Sequence, residues 1–445
     1  MVFSSPFAGF FRITDGVNTL KAALPFSFFV AWLLAFPMKG FLLPHAEELL
    51  LWFLLPHILA LLLIGLLVPS DRFQVCSSVG CVITILLTGL FPLFPAASQL
   101  LMSAIGLSAA FVTLRAVLTL QQAGNIALAS AVGLIGGNLL LLACMRMPIF
   151  PWSYLVIGLP LSVCLLVRPA VAPGLPVPLP LPYFMFLFIF STISGLMYGF
   201  LMPRYAVAAF VPGAELGLYL AAVALGLFAA GARRDLLLLG GVVLGMISFS
   251  LIQGNSPAFV NGSMFAMQSA AGCVDLFILL LLLDSRTDAL RASGYGLAAV
   301  CSGIAAGHLF ALLLPQATET LVAAGNIILA VAFLTFHFLR SKKPGSVADE
   351  TYLPERLAVS RVIGALEYDL FTENGPKGCR WKLTSQEKSV LEQVCMGKTY
   401  KDAASVLGIT ESTVKTYMKR IFAKADVSSK EALLGKLMQM REDSQ

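Results

Sequence analysis

The chain has 445 residues, 58% of them hydrophobic and 12% charged, with a mean hydropathy of +0.86 and a formal net charge of +6. A soluble domain is about half apolar and about a quarter charged, so composition excludes an entirely soluble protein. The excess of apolar residues is unevenly distributed, and that unevenness organises the chain.

From Leu20 to Leu339 the sequence is a succession of apolar runs, each close to the roughly 20 residues that cross a bilayer as helix. Twelve are predicted: Leu20–Met38, Leu49–Val68, Val75–Phe94, Ser98–Leu120, Asn125–Met145, Pro151–Val167, Tyr183–Met202, Ala214–Gly231, Asp235–Gln253, Met264–Leu283, Gly294–Leu314 and Thr320–Leu339. The breaks at Leu120–Asn125 and Pro148–Pro151 are the weakest, and closing them would leave ten or eleven spans. Arg12, Asp15 and Lys21 precede the first long run, and no small-residue cleavage site follows a short apolar core, so no cleavable signal peptide is expected. With twelve spans both termini share a side. Placing that side in the cytoplasm gives it Arg12, Lys21, Arg72, Arg168, Arg233, Arg234, Arg286, Arg291, Arg340, Lys342 and Lys343, against Lys39, Arg146 and Arg204 outside. Basic loops stay in, so a multi-pass protein of the bacterial cytoplasmic membrane with both termini inside is expected.

None of the eight cysteines stands in CxxC or Cys/His spacing, so no zinc site, metal or disulfide framework is expected. No nucleophile–base constellation or phosphate loop is present either, so neither an enzyme nor a cofactor is expected.

"RPAVAPGLPVPLPLP" (Arg168–Pro182) lies between the sixth and seventh runs. Proline fixes φ and removes donors, which predicts an extended linker rather than helix, dividing the bundle into two six-span halves. "GLLVPSDRFQ" follows the second run and "AAGARRDL" its counterpart, the eighth. In this layout Arg12–Arg340 resembles the major facilitator superfamily. Asp71 and Arg72 match the core of that family's loop motif, while Phe73, Gln74 and Val75 stand where further basic residues are usual. The resemblance implies a cavity between the halves near the bilayer midplane.

Ionisable residues inside spans are rare and costly. Arg115 falls in the fourth run, Asp275 in the tenth and His308 in the eleventh. The fourth and tenth resemble the family's cavity-lining helices, which makes Arg115, Asp275 and His308 candidate contacts for a polar small-molecule ligand. Alternatively, Arg115 snorkels to an interface and Asp275 pairs structurally with another span. His57 and His337 read as structural, and Asn138, Gln253 and Asn326 as helix-joining groups.

Beyond Arg340 the chain turns polar, dividing it into a membrane domain (1–340), a linker (341–379) and a C-terminal domain (380–445). The linker contains an amphipathic stretch, Leu353–Phe371, read as a packed connector, with a helix that pairs two chains or relays motion as the alternative. From Arg380 to Arg441 twelve Lys and Arg face six Asp and Glu. Four helices are predicted. "TSQE" makes a capping box of Thr384 and Glu387, with a stop at Gly397. Thr399 caps a second helix ended by Gly408, Thr410 caps a third, and "SSKE" opens a fourth at Ser428. Two short helices joined at a glycine turn, the second basic, form a helix-turn-helix pattern. At about 100° per residue, Val414, Met418, Ile421 and Ala425 share one face of the third helix. Ser412, Lys415, Thr416 and Lys419 share the opposite, cationic face, which fits a major groove.

"LTSQEKSVLEQVCMGKTYKDAASVLGITESTVKTYMKRIFAKADVSSKEAL" resembles a LuxR-type helix-turn-helix domain, through Leu383-Thr384, Glu387, Val390-Leu391, Gly397, Thr399, Ala403-Ala404, Leu407, Ile409, Thr413-Val414-Lys415, Ile421, Lys424, Val427 and Ala432. Tyr417 replaces a common His and Ala425 a common Leu. The resemblance implies base reading by Lys415, Thr416 and Lys419; Ser412 and Arg420 are further candidate DNA contacts on the same helix. It also implies a dimer contact through Leu433 and Leu437 of the fourth helix. The fold expected is all-α: a facilitator-like bundle with a four-helix LuxR-type domain. The function expected is a one-component regulator that senses a small molecule in the bilayer and binds promoter DNA as a homodimer. A secondary transporter with a regulatory tail is the alternative.

Overall fold

The computed structural model describes residues 13–38, 40–43, 49–169, 181–232, 234–254, 256–283, 288–313, 320, 324–331, 333–334, 384–395, 400–427 and 433. They fall into two compact units, Met1–Arg340 and Ser341–Gln445. The expected amphipathic helix Leu353–Phe371 lies outside the described residues.

The first unit is a bundle of helices: α1 (Ile13–Ala35), α2 (Leu49–Leu67), α3 (Ser70–Leu90), α4 (Ser98–Thr119), α5 (Ile126–Cys144), α6 (Ser153–Leu166), α7 (Leu181–Ala208), α8 (Ala214–Ala232), α9 (Asp235–Ile252), α10 (Pro257–Leu282) and α11 (Ala289–Leu313). Among the described residues nine helices are long and apolar enough to cross a membrane, and Ser153–Leu166 and Ala214–Ala230 are shorter apolar helices. Each of the first eleven expected runs therefore has its helix. Of the twelfth, 324–331 are helical and the rest lies largely outside the described residues. Outer faces rich in leucine remain uncovered by protein, as at Leu55, Leu66 and Leu86. That is how a helix meets lipid, where every backbone group must be satisfied within the helix. The chain is a multi-pass membrane protein.

Proline and asparagine explain the irregular ends. Pro160 lies within a 3-10 turn, Leu159–Ser162, that interrupts α6. Asn125 caps α5 by accepting from the Leu128 N–H at 3.0 Å. The proline-rich linker needs one correction. Leu181 and Pro182 belong to the first turn of α7, where a helix has no use for the proline's missing N–H; residues 170–180 lie outside the described set.

The helix pairing repeats. In the first half α1 packs on α5, α2 on α4 and α3 on α4; in the second α7 packs on α11, α8 on α10 and α9 on α10. Adding six to each label of the first set gives the second. The halves meet where α2 crosses α11 and α5 crosses α8, which are equivalent pairs under the same repeat. Asp71 and Asp235 occupy the first turns of the equivalent helices α3 and α9, where a carboxylate favours the helix dipole.

Small residues set the closeness of these crossings, as expected where lipid gives helices no hydrophobic reason to associate. On α11, a Cβ at Gly307 would lie 2.2 Å from the Thr192 carbonyl oxygen of α7, and one at Gly303 2.4 Å from that of Phe188. At the α2–α11 crossing a Cβ on Gly294 would lie 3.2 Å from the Gly65 Cα. His57 proves structural: Nδ1 bonds the Gly106 carbonyl at 2.9 Å, joining α2 to α4, and the ring is buried.

The second unit contains α12 (Ser385–Cys395), α13 (Tyr400–Leu407) and α14 (Glu411–Ala425). Their shared core holds Val390, Leu391, Val394, Ala403, Ala404, Val414, Met418, Ile421 and Ala425. Gly408 adopts φ +65° between α13 and α14. That left-handed turn suits a residue without Cβ, and the Ile409 N–H reaches back to the Ala404 carbonyl at 3.0 Å. Gly397, Thr399 and most of the expected fourth helix lie outside the described residues.

Candidate nucleic-acid interface and candidate ligand site

Helix α14 is placed by its caps. Thr410 Oγ1 accepts from the Thr413 N–H at 3.3 Å, supplying one of the acceptors that a helix start lacks. At the other end Asp426 turns left-handed at φ 51°. Between them Val414, Met418, Ile421 and Ala425 are buried, the four residues expected on the inner face. Ser412, Lys415, Thr416, Lys419 and Arg420 are exposed, so the structure leaves all five expected DNA contacts open to solvent on one helix.

This face is organised before any DNA arrives. Lys415 Nζ lies 2.7 Å from Glu411 Oε1, one turn back. Ser412 Oγ is 2.8 Å from Thr410 Oγ1, and Thr416 Oγ1 donates to the Ser412 carbonyl at 2.9 Å. The Arg420 guanidinium lies 5.9 Å from the Tyr417 ring centroid, within cation–π range. Lys415 is half-exposed, so an ion pair of this kind is worth little and exchanges readily for a phosphate or a base edge.

The base of α14 is braced. Lys424 Nζ lies 2.6 Å from Glu387 Oε2, which also accepts from the Thr384 N–H at 2.7 Å; Thr384 Oγ1 accepts in return from the Glu387 N–H at 3.3 Å. The capping box thus doubles as the anchor of α14. The Lys424 ammonium, then the Thr384 N–H, hold the Glu387 carboxyl below its ordinary pKa.

The expected dimer contact needs correction. Leu433 is 1% exposed and belongs to the domain's own core, so its side chain is already spent on packing within one chain. Leu437 lies outside the described residues.

In the bundle, Arg115 also departs from the ligand reading. It is 1% exposed. Nε donates to the Cys164 carbonyl at 2.6 Å, and one terminal nitrogen donates to Ser77 Oγ and Ser78 Oγ, both at 2.9 Å, and to the Gln74 carbonyl at 3.2 Å. The other terminal nitrogen donates to the Val167 carbonyl at 3.2 Å. A guanidinium has five N–H donors, and here they tie α4 to the start of α3 and the end of α6. Arg115 is a clamp on carbonyls that a helix end leaves unsatisfied. It is neither an open ligand group nor a snorkelling one.

Asp275 is half-buried on α10, and its Oδ2 accepts from the Tyr219 hydroxyl of α8 at 2.8 Å. His308 is buried on α11 beside Gly307, where α11 runs closest to α7. Tyr219 was not anticipated. The available signal was a polar residue one turn after Glu215 in an apolar run, and Glu215 is itself held by a tyrosine, Tyr205, at 2.7 Å.

Fold and site together define a class: a facilitator-type membrane bundle carrying a helix-turn-helix domain at its C-terminal end. Residues 382–435 match the family described as bacterial regulatory proteins, luxR family, so the C-terminal domain is a LuxR-type helix-turn-helix. A curated relative, the uncharacterized transcriptional regulatory protein YhcZ of Bacillus subtilis (strain 168), is 33% identical over 90 residues, which are 17% of this chain and 42% of that protein. The chain thus spans about two fifths of the length of this relative. The bundle is similar to the human organic anion transporter MFSD10 (TETRAN), at TM-score 0.54 and 15% identity over 73% of this chain and 100% of that one. It is equally similar to a bacterial homologue of the iron transporter ferroportin in an outward-facing state, at TM-score 0.54 and 16% identity over 75% of this chain and 100% of that one. At these identities the likeness is one of fold.

Proposed function

We propose that the chain is a membrane-embedded, one-component transcription regulator of the bacterial cytoplasmic membrane. Its bundle senses a small molecule and its LuxR-type domain binds promoter DNA, as a homodimer, from the cytoplasmic side. The observation that carries this reading is a solvent-facing recognition surface, Ser412, Lys415, Thr416, Lys419 and Arg420, on a domain of one continuous chain with a facilitator-type bundle. Such a surface has no use in transport. Within the bundle, Asp275 and His308 remain the proposed ligand contacts, and Arg115 supports the fold. No chemistry beyond binding is assigned to the chain. The test is capture of genomic fragments by the solubilised full-length chain: enrichment of a defined promoter supports the reading, and no enrichment above random sequence overturns it.

A second reading, secondary transport with a regulatory tail, is favoured by the transporter fold of the bundle. Substrate-dependent flux in sealed vesicles would establish it; a reporter response without flux would leave sensing alone.

A further inference from the structure

Two carboxylates face the protein interior around α8 and α10, and each is held by a tyrosine. Tyr205 donates to Glu215 Oε2 at 2.7 Å and Tyr219 donates to Asp275 Oδ2 at 2.8 Å. Both tyrosines are buried and both carboxylates half-buried. Glu215 and Tyr219 are one turn apart on α8, so the two pairs form one continuous strip. Among the described residues no lysine, arginine or histidine pairs with either carboxylate. Arg204, next to Tyr205, lies over the Phe200 ring at 3.9 Å.

A hydroxyl donating to a carboxylate favours its charged form, yet gives it no counter-charge. A further polar group lies on the same face of α10. Gln268 is 7% exposed; no hydrogen bond to its side chain is found among the described residues, yet its amide is not one of their fully enclosed unsatisfied groups, so it still borders open space. It precedes Asp275 by seven residues on the same face of α10, about 10 Å along the axis at 1.5 Å per residue. An amide bordering open space can bond a ligand, and a membrane carboxylate without a cation is costly.

We propose that this strip binds an organic cation. A protonated amine sits on Asp275 against the Tyr219 ring, with Glu215 one turn away adding negative potential, and a hydroxyl or carbonyl at the far end of the ligand bonds Gln268. This rests on the sensing reading above and adds the chemical class of the ligand: a cationic amine with a second polar group about 10 Å away, the span set by the helix rise.

The test uses the full chain in lipid nanodiscs and three probes on one alkyl frame: 6-amino-1-hexanol, hexylamine and 6-hydroxyhexanoate. Saturable binding of the two amines and none of the anion is expected by calorimetry. Asp275→Asn should weaken both amines about thirtyfold or more, the effect of removing one partner of a desolvated charge pair, while Asp275→Glu retains them. Gln268→Leu should weaken 6-amino-1-hexanol about fivefold, the worth of one hydrogen bond, and leave hexylamine unchanged. Should Asp275→Asn fail to fold, Glu215→Gln and Tyr219→Phe carry the same expectation of weakened amine binding. Equal or tighter binding of the anion, no binding of either amine, or variants that melt earlier with amine affinity unchanged would each overturn the cation site. Promoter capture by the same nanodiscs is read in parallel. Its loss counts against the regulator reading, and its persistence beside anion binding confines the failure to the ligand class.

Discussion

Lys424, in the last turn of α14, bonds the carboxylate of Glu387, in the first turn of α12, at 2.6 Å. Glu387 is 2% exposed and its cap to Thr384 depends on the same oxygen. Glu387→Ala therefore removes a cap and, with it, the carboxylate that Lys424 bonds. The expected destabilisation of the C-terminal domain is about 1–3 kcal/mol, read as faster amide exchange across residues 385–425 with the bundle unaffected.

The same carboxyl sets a pH dependence. Its folded pKa is depressed, so its contribution is present above the unfolded value, near 4.3 for glutamate. It is lost as pH falls through the lower folded value. Wild-type exchange protection in the C-terminal domain should fall between about pH 4.3 and lower pH, and this acid-linked loss should flatten in Glu387→Gln. An identical acid profile in the two proteins would remove the brace from the account.

Lys415→Ala and Lys419→Ala should each weaken promoter binding while the chain still inserts. A base contact is worth about 1–3 kcal/mol of discrimination; a phosphate contact instead lowers the salt slope by about 1 without changing sequence preference. Titrations at several salt concentrations distinguish these roles residue by residue. Unchanged affinity in both variants means α14 does not read DNA.

Arg115→Ala should lower the melting temperature of the bundle and should not change which small molecules it answers. Each lost charged hydrogen bond is worth about 1.5–3 kcal/mol, and several carbonyls lose their donor together. Arg115→Lys should rescue only partly, because an ammonium cannot copy the planar fork. A stable Arg115→Ala protein with an altered ligand profile would return this residue to the ligand site.

A flexible Gly/Ser segment inserted after Pro344 should uncouple ligand from transcription while DNA binding persists. The proposed ligand groups belong to one unit and the proposed reading face to the other, and the chain between them is the route this insertion tests. Ligands shift an equilibrium only by their differential affinity for its states, and coupling of about 1–3 kcal/mol does not survive a slack joint. A normal reporter dose–response with the insertion would exclude this route.

The spans were legible because lipid imposes its requirement locally: an apolar run of sufficient length must be helix wherever it packs. Helix ends were less legible. Helix α10 begins at Pro257, seven residues before the apolar run at Met264, because a helix can extend through polar residues that hydropathy discounts. The inner face of α14 could be read from periodicity alone. Arg115 could not, since its acceptors are backbone carbonyls and serines 37 to 52 residues away and no spacing announces them. Leu433 shows the same limit from the other side. Sequence marks it as apolar, but only packing decides whether an apolar side chain faces its own core or a second copy.

The glycine crossing of α2 and α11, Gly65 against Gly294, is backbone on backbone with no side chain from either glycine, so short-range dispersion is a main part of the contact. Electrostatic latches weaken gradually with distance. Dispersion does not: a gap of about 0.5–1 Å already forfeits a quarter to a half of the contact energy. Such a seam has no stable half-open position. The two halves of the bundle are either in contact there or apart, so under the proposed sensing role a graded concentration of ligand would be converted into discrete events, one molecule at a time.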